Sequence, residues 1–305
     1  MVALSASPSP RRAVLALILA AASWGTATAI SKRAVEEIPP LTLLSVQLAA
    51  SLVILAVLMR WRGVPFHDST ASPILGRLGI LNPGLAYSLS LIGLVHISAS
   101  LSVLLWAAEP LMILLLAGWL LRERLGPQIL LLSPVAAGGM AIAVYSPGAS
   151  GQELGVALTL AGVACCAVYT IVARRWLGTA QGTAGVVATQ QLYALAFAIA
   201  VVGAAWLAGG AVSPENVSLA GWLSSVISGV LYYGLAYWLY LSGLRLVPAS
   251  FAATSFYLVP VFGLAAAFLL LGERLEPYQW VGAGVAIVAV FAILRPGQAA
   301  SVAAA

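Results

Sequence analysis

Glu109 is the residue of this chain with the most chemistry to offer, because of where it stands. Of the nine acids, Glu36, Glu37, Asp68, Glu123, Glu153, Glu215, Glu273 and Glu276 fall at the ends of apolar runs or between them, whereas Glu109 lands halfway along the run 97–121. A charge at the centre of a bilayer costs ~2.5 to 3.5 kcal/mol or more, so an acid at such depth is a functional candidate. It can exchange a proton or receive a substrate ammonium group. Trp106 lies at i−3 from it, on nearly the same helical face. Trp24, Tyr87, Tyr169, Tyr237 and Tyr257, with the amides Gln47 and Gln190, also fall inside apolar runs. Together they make the expected substrate pathway, an apolar wall with a few polar anchors.

Other chemistries lack their residues. Cys165 and Cys166 are adjacent in an apolar run and read as small packing residues, with no disulfide framework or metal-ligand spacing. No metal and no cofactor are expected. Intramembrane proteolysis needs a nucleophile with its base, or paired carboxyls. Glu109 has no second acid at depth, and His96 belongs to the turn between two runs, so the chain does not read as an enzyme. The 14 Lys and Arg are scattered singly or in pairs, which argues against nucleic acid.

The elements that must hold Glu109 follow from composition. The 305 residues are 62% hydrophobic and 8% charged, with a mean hydropathy of +1.04, so lipid is the solvent for most of the surface. Ten apolar runs, 13–30, 41–59, 74–95, 97–121, 128–145, 156–173, 186–207, 219–241, 248–271 and 278–294, approach the ~20 residues that cross a bilayer. The first reads as a span and not as a cleaved leader. The expected fold is therefore an all-α membrane protein of ten transmembrane helices, and its expected partners are membrane lipid and a small-molecule substrate, with one chain as the working unit.

The runs are not independent. Residues 84–127 align without a gap to 234–277 at a fixed offset of 234 − 84 = 150, with 19 of 44 positions identical by direct count, including GLAY, ERL and two prolines. An internal duplication accounts for this, with halves at 1–147 and 148–305. Five crossings separate the copies, an odd number, so the copies run in opposite directions, the plan of many secondary transporters, whose site opens alternately to each side. Helix breaks are expected at Asn82, Pro83 and Gly84, at Pro110 and at its repeat mate Pro260, with Pro134 also inside a run. Glu109 pairs with Val259, so the repeat itself does not require an acid. Lys and Arg accumulate on the cytoplasmic side. With the N-terminus inside, that side carries Arg11, Arg12, Arg60, Arg62, Arg77, Arg122, Arg124, Arg174, Arg175, Arg245 and Arg295, against Lys32, Arg33 and Arg274 outside, placing both termini in the cytoplasm.

Trp24-Gly25 in the first run, a proline midway in the fourth and ninth, and Gly272-Glu273-Arg274-Leu275 followed by Pro277 resemble the drug/metabolite transporter superfamily, in particular its ten-helix exporters built from two EamA-type halves. The resemblance covers nearly the whole chain. It implies a cell-membrane (inner-membrane) carrier with two inverted five-helix repeats around a central cavity, and similarity to the aromatic amino-acid exporter branch implies export of amino acids, neutral and aromatic ones included. Proton-coupled efflux of cationic drugs is the alternative, with Glu109 as counter-charge. The first copy departs from the pattern, with Arg122 where the second has Gly272, so a dedicated tight turn after the fourth helix is expected less of the first copy than of the second.

Overall fold

The computed structural model describes residues 10–35, 37–65, 72–94, 96, 105–106, 108–123, 125–144, 153–180, 182–210, 212–271 and 276–293, and the architecture given below is that of these residues. Their regular structure is helical throughout: α1 Pro10–Val35, α2 Pro40–Trp61, α3 Pro73–Gly79, α4 Ala86–Leu94, α5 Glu109–Leu120, α6 Pro127–Val144, α7 Glu153–Trp176, α8 Thr183–Leu207, α9 Leu219–Gly229, α10 Tyr237–Leu244, α11 Ala249–Ala253, α12 Val259–Leu271 and α13 Pro277–Ile293. Six helical stretches are long and apolar enough to cross a membrane: Arg11–Val35, Pro40–Trp61, Glu153–Trp176, Thr183–Leu207, Leu219–Leu244 and Ala249–Leu270. The Gly272–Leu275 motif lies outside the described residues.

Local chemistry sets the ends. Prolines open α2, α3, α6 and α13, where a missing N–H costs nothing. Ser218 caps α9, its hydroxyl accepting from the Gly221 N–H at 3.0 Å. Beyond α2 and α8 the chain turns through Gly63 (φ +64°) and Gly209 (φ +78°), and the next N–H reaches back, Val64 to Met59 O at 2.9 Å and Gly210 to Ala205 O at 2.9 Å. This is the Schellman ending, which needs a left-handed residue.

The apolar side chains point both ways. Leu115, Trp119, Leu131, Leu207, Leu219, Leu269 and Val288 are at least 70% exposed, a surface that only lipid suits. Inside, small residues bring backbones together. A Cβ on Gly139 of α6 would meet Ala286 N and Gly282 O of α13, both at 2.8 Å, and these two helices pack along each other. Elsewhere too the first half packs on the second: α1 against α12, α2 against α8, and α4 against α7. One apolar core, from Ala13 and Leu17 to Val290 and Ile293, runs through both.

Two helices are broken at matched positions. Between α3 and α4, residues Ile80–Leu85 form a wide π-type turn in which Asn82 leaves the helix altogether (φ −147°, ψ 120°). Between α9 and α10, Val230–Ala236 form a second such turn, one offset of 150 later. Pro110 and Pro260 do not interrupt helices. They stand at the second residue of α5 and α12: α5 starts in the middle of its apolar run, whereas α12 continues the helical run Ala249–Leu270 directly from a 3-10 stretch at Thr254–Leu258. Pro134, by contrast, lies within α6 without a break.

Candidate functional site

The broken helices aim their side chains at one another. Tyr87 and Tyr232 share a hydroxyl–hydroxyl bond of 2.9 Å, and the Tyr237 hydroxyl donates to Asn82 Oδ1 at 2.7 Å. Because 87 + 150 = 237 and 82 + 150 = 232, the same cross-contact is made twice, once in each direction between the halves. The flanking amides repeat the pattern. Gln47 Nε2 of α2 donates to Ser228 Oγ at 2.8 Å and to Ser31 Oγ at 2.9 Å, beside Gly229. Gln190 of α8 donates to Leu75 O at 2.8 Å and accepts from the Tyr169 hydroxyl at 2.9 Å, beside Gly79, the repeat mate of Gly229. Both amides are tied to neighbouring helices.

Around these bonds nine rings form one continuous cluster: Trp24, Tyr87, Trp106, Tyr169, Tyr232, Tyr233, Tyr237, Tyr240 and Phe256. Trp24 is the hub, with Tyr237 at 5.5 Å and Tyr240 and Phe256 at 5.4 Å between centroids. Tyr87 links it to Trp106 by stacking at 5.5 Å. Most contacts are edge-to-face or tilted, the arrangement the ring quadrupoles favour.

Glu109, 7% exposed at the start of α5, follows Trp106 of this cluster by three residues. Among the described residues, the buried polar atoms without a hydrogen-bond partner include the Trp24 indole Nε1, the Tyr257 hydroxyl and Gln191 Oε1. An indole N–H can only donate, so Trp24 is an unpartnered donor within the cluster, and Glu109 is the only buried acid among the described residues.

Most of the sequence-predicted residues thus come together. Trp24, Tyr87, Trp106, Tyr169 and Tyr237 are in the cluster, and Glu109 follows Trp106 along the chain. Trp106 does not share a helical face with Glu109, because α5 begins at Glu109; it reaches the site by stacking on Tyr87. Tyr257 is buried and makes no ring contact among the described residues, and its neighbour Phe256 enters the cluster instead. Sequence reasoning did not single out Tyr232, Tyr233, Tyr240, Phe256 or Cys166. A signal existed for two of them: extending the repeat two residues upstream pairs Tyr232-Tyr233 with Asn82-Pro83, the break already identified.

The sequence pattern of the EamA-like transporter family matches this chain twice, over residues 11–145 and 153–295, and the chain belongs to that family. It is therefore a membrane transporter of the drug/metabolite superfamily carrying two copies of the family unit. Among its relatives, an uncharacterized protein of Pseudomonas aeruginosa is 30% identical over 88% of this chain and 89% of its own length. An uncharacterized transporter of Archaeoglobus fulgidus is 24% identical over 92% and 98%. A probable terminal-alkyne amino-acid exporter of Streptantibioticus cattleyicolor is 29% identical over 93% and 94%. One solved crystal structure has the same fold, with a TM-score of 0.76 at 18% identity over 92% of this chain and 95% of that one.

Proposed function

We propose that this protein exports amino acids across the cell membrane by alternating access between two inverted five-helix repeats, binding them in the ring cluster with the ammonium group at Glu109 and the carboxylate at the Trp24 indole N–H. The observation that carries this reading is a buried acid three residues beyond Trp106 of the ring cluster, together with an unpartnered donor within that cluster. A zwitterion complements both, and the rings add cation–π attraction to its ammonium and apolar contact to its side chain. The relative named as an amino-acid exporter supports the cargo. The paired breaks at Asn82 and Val230–Ala236 and the doubled tyrosine bond support a two-fold relation between the halves, which fits ten crossings and an exchange of conformations about the site.

A second reading, proton-coupled efflux of organic cations, is favoured by one feature. The side chains that form the cluster include no Lys or Arg, and Glu109 follows Trp106 closely along the chain, so a cation without a carboxylate finds its counter-charge too. Counterflow of radiolabelled phenylalanine and threonine in proteoliposomes, with and without a pH gradient, tests the first reading, and competition by a methyl-viologen-like cation tests the second. Trp24→Phe is expected to raise KM for the amino acids about tenfold, the worth of one hydrogen bond to a charged group, and to spare the cation. Glu109→Gln is expected to reduce both activities at least tenfold and to abolish any response to the gradient. No counterflow of any amino acid overturns the leading assignment.

A further inference from the structure

Outside the ring cluster, the chain uses a second acid in a way that no packing need explains. Glu123 follows α5 and reaches from the first half into the second, where both carboxylate oxygens are occupied. Oε1 accepts the Ala249 N–H at 2.9 Å, and Oε2 accepts the Ser250 N–H at 3.0 Å and the Ser250 hydroxyl at 2.6 Å. These are the first free N–H groups of the helical run Ala249–Leu270, whose preceding residue, Pro248, provides no side-chain cap. A carboxylate is the group a helix start attracts, and here another half of the molecule supplies it. The aim is set by Arg122, which adopts a left-handed turn at φ +53° although it is not glycine. The same run carries Phe256, which packs on Trp24 and Tyr240, so the bond at its start bears on the site's wall.

We propose that Glu123 is a positioning residue of the transport cycle: its bonds to Ala249 and Ser250 clasp the two halves together at this end of the pathway, and they must open for the site to face that side. The left-handed residue and the glutamate of the motif are then two parts of one device, the first turning the chain and the second fastening it. The inference rests on the alternating-access reading. It does not depend on which solute is carried.

Cys166, buried on α7 three residues before Tyr169 of the ring cluster, offers a native reporter. In a Cys165→Ala background, labelling by a membrane-impermeant thiol reagent is measured in proteoliposomes from the Glu123 side and from the opposite side. Glu123→Gln is expected to raise labelling from its own side several-fold and to lower it from the other, Ser250→Ala to do the same more weakly, and Glu123→Asp to restore most of the original ratio. In counterflow the glutamine variant should change kcat with KM for the amino acid held within about twofold, since the site itself is intact. Ser250→Ala, which removes only a hydroxyl, keeps the test open if the glutamine variant does not fold. An unchanged ratio in a monodisperse variant overturns the proposal, as does an equal rise from both sides. If wild-type protein carries no amino acid yet the ratio still shifts, the cargo assignment falls and the clasp stands.

Discussion

Arg122 pays a conformational cost that a glycine, the residue the second copy has at position 272, would not. A left-handed backbone costs an L-residue ~1 to 2 kcal/mol, so Arg122→Gly is expected to stabilise the protein by about 1 kcal/mol, read as a rise in the thermal midpoint in detergent. The sequence suggested that an arginine here loosened the need for a tight turn. The structure keeps the turn at φ +53°, because Glu123 must point across to Ala249 and Ser250. Glu37 shows the same habit near the other end of α1. The Ser218 N–H at 2.6 Å and hydroxyl at 2.9 Å hold its carboxyl below the ordinary carboxylate value, the backbone bond most of all. A depressed value means a contribution present above the unfolded-state pKa and lost as pH falls through the folded one. Glu37→Gln should therefore lower stability by a constant amount at neutral pH and flatten the acid limb of a stability–pH profile below about pH 4.5; an identical acid limb would contradict the assignment.

At the scale of elements, the glycines say more than the prolines. A Cβ on Gly79 would run into the Gln190 carbonyl, and one on Gly229 would meet Gln47 O at 2.5 Å. Gly79→Ala and Gly229→Ala are expected to cost about 1 to 3 kcal/mol each by overpacking. Gly138→Ala, with nothing within 4 Å, should be neutral or gain a few tenths, which melting curves of the three would separate. Much of this level was legible beforehand. The apolar runs, the break at Asn82-Pro83-Gly84 and the pairing of Pro110 with Pro260 could be read because backbone chemistry is local: proline removes a donor wherever it stands. Two things could not be read. That Pro110 opens a new helix while Pro260 follows a 3-10 stretch within a continuous one depends on where the preceding turn ends. That Tyr232, Tyr240 and Phe256 complete the ring cluster depends on which face of a helix meets its neighbours, and in lipid both faces are apolar. Hydrophobic periodicity, the usual guide to the inner face, carries little information in such a chain.

At the scale of the whole molecule, the proposed two-fold relation makes a prediction about sidedness. A reporter tag placed between α5 and α6 and one placed between α12 and α13 are expected on opposite sides of the membrane, accessible to protease from one side each. Accessibility of both from the same side would end the inverted-repeat proposal and alternating access with it. The repeat was legible as 19 identities at a constant spacing, and the acid at depth as an isolated letter in an apolar run. The interleaving of the halves was not, since a boundary near residue 147 suggests two bodies side by side. Instead α1 packs on α12, α4 on α7 and α6 on α13, so that almost every helix of one copy is lined by the other.

That interleaving bears on how the protein is made. Emerging from the ribosome, the first half would wait in the bilayer with the Gln190 donor to Leu75's carbonyl, the helix start that Glu123 caps and Tyr87's hydroxyl partner still unsynthesised, so neither copy amounts to an autonomous folding unit. Severed at the 147/148 junction and co-expressed, the pieces should nevertheless find each other and restore function, because what joins them is a mutual surface and not the peptide linking them. Either piece alone should be cleared by quality-control proteolysis.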